Sequence, residues 1–119
     1  MAEKMKIPPA PRGAGTEGRR LWRAVLTQYE LEEHELSLLV RAVRVADSCA
    51  QLQGIVDDEG PLVTTRLGEQ KAHPALVELR QQSTLLARLI VALRVPLGEE
   101  EGRGQHRGTR GVYGIGSVS

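Results

Sequence analysis

The sequence predicts a mainly α fold: a short N-terminal helix, then a long antiparallel helical hairpin. A small β-hairpin or ordered loop is expected between the two long helices, and flexible segments at both termini. Three observations lead there. The apolar residues are mostly Leu, Val and Ala at spacings of three and four, the period of a helix with one buried face. Aromatic residues are scarce, with no Phe, one Trp and two Tyr, which suits close-packed helices better than a sheet core. Pro and Gly gather at the two ends and at one central break.

Residues 1–16, MAEKMKIPPAPRGAGT, read as a disordered arm, because Pro8, Pro9 and Pro11 forbid a helix. Thr16 is placed to cap a first helix over about Glu17–Gln28, although Arg19 stands where a capping box wants Glu or Gln. Leu21, Val25, Trp22 and Leu26 supply its apolar stripe. After a break at Tyr29–Leu31, a long helix is expected over about Glu32–Asp58, with Glu32, Glu33 and Glu35 at its positive end. Leu36, Leu39, Val43, Ala46 and Ala50, extended by Val40 and Cys49, form an a/d-like seam. Gly60-Pro61 ends that helix. Leu62 to Thr65 favour extended chain and Gly68 a tight turn. Pro74 suits the first turn of a last helix to about Arg94, and Pro96 stops it. Leu76, Leu79, Leu86, Leu89, Ile90 and Leu93 mark its apolar face, with Leu85 beside them. The chain thus divides into an arm (1–16), a helical domain (17–97) and a Gly/Arg-rich, disordered tail (98–119).

The chemistry of an enzyme is missing from this pattern. His34 lies in EEHEL and lacks the second His, four residues on, of a helical zinc motif. His73 and His106 are scattered, and Cys49 stands alone in an apolar helical pattern, so no metal, disulfide or cofactor is expected. Ser48-Cys49 sits on a helix seam, and not on the strained turn a nucleophile uses. Asp57, Asp58 and Glu59 read as a solvated helix end. No phosphate-cradling loop ending in Lys and Ser or Thr occurs, and GVYGIG lacks the strand and helix of a dinucleotide fingerprint. The scarcity of aromatics argues against single-strand binding by base stacking. No secretory signal or membrane-spanning stretch is present, and a reducing cytoplasm fits one cysteine.

Charge is informative only locally. The net charge is +1, and residues 18–97 hold ten basic and ten acidic side chains. Basic residues crowd the start: Lys4, Lys6 and Arg12 in the arm, and Arg19, Arg20 and Arg23 in the first helix. A helix and arm of this kind contact phosphates through charge, so these six are the candidate DNA-binding residues. Arg41 and Arg44 in the long helix are candidates for pairing with acids of neighbouring copies. In the tail, Tyr113 between Val112 and Ile115, with Arg110 nearby, resembles an anchor that folds onto a partner. The core of an 80-residue helical region is lean, and self-association would relieve it. Leu36, Leu39, Val43, Ala46, Leu86, Ile90 and Leu93 are the candidate seam for core or oligomer.

Three stretches carry a resemblance. GRRLWRAVLTQYELEEHELSLLVRAVRVAD (18–47) and KAHPALVELRQQSTLLARLIVALRVP (71–96) look like the opening and later helices of tailed-phage terminase small subunits, of the type found in actinobacterial phages and prophages. RGTRGVYG (107–114) is similar to tails of the same group. His73-Pro74-Ala75 opening a Leu-rich helix, with Arg80-Gln81-Gln82, is the most specific part. The family often continues with Pro and a basic or Ser-rich segment, whereas here Pro96 leads to Leu97-Gly98 and three glutamates. The resemblance implies a protein with no catalytic centre in the cytoplasm of a bacterial host. It would recognise double-stranded viral DNA, form a ring of identical subunits, and recruit and regulate the large ATPase-nuclease subunit for genome packaging. The tail residues Arg110, Val112, Tyr113 and Ile115 would dock on that subunit. The alternatives are a small helical DNA-binding regulator or an antitoxin-like interaction protein. A regulator wants base-reading residues at the start of its recognition helix, where this chain has Glu-Glu-His-Glu.

Overall fold

A computed structural model describes residues 7–93 as three helices and one β-hairpin: α1 (Thr16–Gln28), α2 (Glu33–Glu59), β1 (Leu62–Thr64), β2 (Gln70–Ala72) and α3 (Pro74–Leu93). The mainly helical class, the order of elements and the central hairpin are those the sequence predicts. The expected ends of the helices differ by a residue or so, and Arg94 and the 98–119 tail lie outside the described residues.

The first nine described residues depart from the expected free arm. Pro8 and its neighbours do keep the chain out of a helix, but residues 7–15 lie against the domain. The Trp22 indole N–H donates to the Pro8 carbonyl at 2.8 Å. Ile7, Ala10 and Ala14 pack beside the core, and the Ala14 N–H closes a turn on the Pro11 carbonyl at 3.0 Å. An apolar side chain every three or four residues and one buried donor seeking an acceptor hold this segment down.

The start of α1 also differs in its cap. Thr16 is the first helical residue and Gly15 the cap position, with no side chain of its own to offer. Asp47 of α2 fills the role from across the fold. Its carboxylate accepts the N–H groups of Gly15 and Gly18, each at 2.7 Å. Free helical amides and the positive end of the dipole make this a favourable seat for a carboxylate. Gly18 permits the approach: a Cβ there would collide with the Asp47 carboxylate and come within 2.8 Å of Val43 Cγ1.

α2 begins with a capping box built from acids. Glu32 N–H donates to Glu35 Oε1 at 2.7 Å while the Glu32 side chain takes the Glu35 backbone N–H. Twenty-seven residues make α2 about 40 Å long, enough to carry two packing faces. On one face Leu39 and Val43 join Trp22, Val25, Leu26, Tyr29 and Leu93 in the buried core. The other face meets α3, marked by Cys49 Sγ at 3.8 Å from Ser83 Oγ. Leu38, Ala42, Val45, Cys49, Leu52 and Val56 follow one another at steps of four and three, and all are buried or half-buried.

The hairpin is antiparallel, with Leu62 opposite Ala72 and Thr64 opposite Gln70. Thr65 shapes its loop, its Oγ1 accepting N–H groups from Leu67 and Glu69 at 3.2 Å each. Gly68 takes φ +85° at the tightest point, where an L side chain would be strained. At the base His73 N–H donates to the Pro61 carbonyl at 2.8 Å, bringing α3 back along α2.

Candidate nucleic-acid interface

The predicted basic residues that are described sit together at the α1 end of the domain. Arg19, Arg20 and Arg23 occupy the exposed side of α1, since steps of one, three and four residues fall within one arc of a helix. The opposite side buries Gly18, Trp22, Val25 and Leu26. Arg19 Nη1 donates to the Ala14 carbonyl at 2.6 Å, which draws its guanidinium over the folded arm. Arg12 is exposed on the turn of that arm. The docked arm therefore adds its cation to those of α1. Arg20 lies 3.4 Å from Glu17, a pair exposed on both sides and of little energetic weight. Lys4 and Lys6 lie outside the described residues.

The sequence assigns Arg44 to pairing with acids of neighbouring copies. Here it is exposed on α2, next to the folded arm, and lines a cleft with Gly13, Ala14 and Ser48. Among the described residues no carboxylate forms an ion pair with Arg12, Arg23, Arg41 or Arg44. The arm's contact with α2 is what links Arg44 to the α1 cluster, and the local pattern of α2 gives no hint of it.

The seam candidates divide between two roles. Leu39, Val43 and Leu93 are fully buried in the core beside α1, and Leu36 packs against that core. Ala46, Leu86 and Ile90 are half-buried, and Ala50 is exposed. The expected stripe is thus chiefly the α1 face of α2. The face toward α3 is offset by one or two residues and runs through Cys49. The tail candidates Arg110, Val112, Tyr113 and Ile115 lie outside the described residues.

His73 has a structural role. Its Nδ1 accepts the Ala75 N–H at 2.9 Å, so the ring proton sits on Nε2, which faces Glu59 Oε1 at 2.7 Å. The His73 carbonyl accepts from Leu76 at 2.9 Å, completing the cap of α3. Among the described residues no three His, Cys, Asp or Glu side chains gather as metal ligands. No described helix is long and apolar enough to cross a membrane.

No protein-family model matches the chain, and neither a curated protein nor a solved structure is significantly similar to it.

Proposed function

We propose that this chain is a terminase small subunit, a non-enzymatic protein that binds double-stranded viral DNA and recruits and regulates the large ATPase-nuclease subunit. It would act in the cytoplasm of a bacterial host, as a ring of identical copies. The observation that carries the DNA-binding part is the exposed arginine face of α1, with Arg12 of the docked arm beside it. Such a face attracts phosphates without reading bases. A net charge of +1 is small for a DNA-binding protein, and a ring answers this by repeating the patch in every copy. The acids that lock the start of α2 would repel phosphate from the place where a helix-turn-helix regulator inserts its recognition helix. The link to the terminase family itself rests on the resemblance of residues 18–47, 71–96 and 107–114.

The test is the affinity of the full chain for duplex DNA as salt is raised, with and without Arg19→Ala, Arg20→Ala and Arg23→Ala together. The expected result is salt-dependent binding whose logarithmic slope shrinks by about two to three in the triple variant, roughly one per lost phosphate contact. Unchanged affinity and slope would remove α1 from the interface. In the same experiment with the large subunit present, a chain ending at Gly102 should bind DNA but not the large subunit. Normal binding to the large subunit would end the docking role of Arg110, Val112, Tyr113 and Ile115.

A further inference from the structure

The cleft between the folded arm and α2 has a composition that the α1 surface does not explain. Its volume is about 180 Å³, small beside the roughly 300–1,000 Å³ of pockets that hold metabolites or cofactors. One wall is the turn of the arm, including Gly13 and Ala14. The other is α2, which presents Arg44, Ser48 and Gln51 at steps of four and three, hence along one face. These are a guanidinium, a hydroxyl and an amide, all able to donate to an oxyanion. No hydrogen bond to another described residue occupies any of the three side chains. Arg12 stands on the arm turn between two lining residues, and Arg19 holds the carbonyl of a third.

Asp47 also lines the cleft and is its one carboxylate. Its two oxygens each accept one backbone N–H group at 2.7 Å from the positive end of α1, which partly offsets its charge. Arg12, Arg19 and Arg44 leave the surroundings cationic.

We infer that this cleft binds a phosphate group of the DNA backbone, with Arg44 as its charged ligand and Ser48 and Gln51 as neutral donors. The inference rests on the proposed DNA-binding function and extends it from α1 to a second, concave contact on α2. Exposed arginines on α1 give a diffuse attraction; the cleft gives a fixed position, and thus a register for the arm and α2 on the duplex. It also gives the docked arm a use, since the cleft exists only while residues 11–14 lie against α2.

Two measurements on the full chain decide it. In the first, Arg44→Gln and Ser48→Ala are compared with the unaltered chain for duplex affinity at several salt concentrations. Arg44 is exposed, and an unchanged thermal transition would show that its replacement leaves the fold intact. Arg44→Gln should reduce the salt slope by about one, so the affinity lost between about 50 and 200 mM salt shrinks roughly threefold. Ser48→Ala should weaken binding without changing the slope. In the second, inorganic phosphate is titrated while backbone amide resonances are followed, with chloride as control. Shifts centred on Gly13, Ala14, Arg44 and Ser48, and lost in Arg44→Gln, are expected. If Arg44→Gln binds DNA like the unaltered chain while the α1 triple variant fails, the cleft is not a phosphate site and the DNA-binding reading stands. If the unaltered chain binds no DNA, that reading falls, and the phosphate titration alone decides: shifts spread evenly over all exposed arginines, or none, overturn the cleft.

Discussion

At Asp47 a single carboxylate performs the work that a helix usually assigns to its own cap residue. It lies 29 residues after Gly18, so replacing it affects packing between α1 and α2 as well as the helix end. Asp47→Ala leaves two part-buried amides without their acceptor, and a loss of about 1–3 kcal/mol is expected in urea unfolding. Asp47→Asn keeps one acceptor oxygen and should fall between. Gly18→Ala should cost at least as much as Asp47→Ala, because the new methyl must displace both the carboxylate and Val43. A change within a few tenths of a kcal/mol for all three would mean that the contact adds nothing to stability. This residue shows where sequence reading stops. The local string suggests Thr16 as cap, and nothing within one helical turn identifies the true one. The exposed arginines of α1, by contrast, were legible, because amphipathic spacing alone separates Arg19, Arg20 and Arg23 from Trp22 and Val25.

For the elements, the joint between α2 and α3 is held by His73 at the foot of the hairpin. The ring caps α3 through Nδ1 and reaches the end of α2 through Nε2, so one side chain fixes where two helices meet. Glu59 is mostly exposed, and its share of the tie is small. The cap is the larger part. His73→Ala should therefore lower stability by about 1 kcal/mol, and His73→Asn, which can cap but cannot reach Glu59 in the same way, should recover most of it. Equal melting temperatures for His73→Ala and the unaltered chain would show that the cap is dispensable. The helices, their breaks and the hairpin were readable from Pro, Gly and apolar periodicity. Which face of α2 meets which neighbour was not. Leu39 and Val43 mark one apolar stripe, Val45 and Cys49 another, and a helix with two apolar stripes does not say which is covered by α1 and which by α3.

Taken as one body, the described chain buries little for its length. In α3 only Ala75 and Leu93 are buried, although Leu76, Val77, Leu79, Leu85, Leu86, Leu89, Ile90 and Val91 lie between them. Leu85 is 42% and Val91 74% exposed. A small domain with so lean a core gains from covering these residues with copies of itself. The expected outcome of light scattering on the purified chain, at two salt concentrations, is one assembly of many subunits. A stable monomer or dimer at both salts would sink the ring.

The docking of the arm has a spectroscopic consequence. Trp22 is the sequence's sole tryptophan, 6% exposed and hydrogen-bonded through its indole to the Pro8 carbonyl. Its fluorescence therefore responds to the seating of the arm as well as to the packing of the core around it. While the arm is in place the indole is shielded from water and its emission lies toward the blue; release moves it toward the red. Any partner that levers the arm away, or clamps it down, signals itself in the native protein without a label.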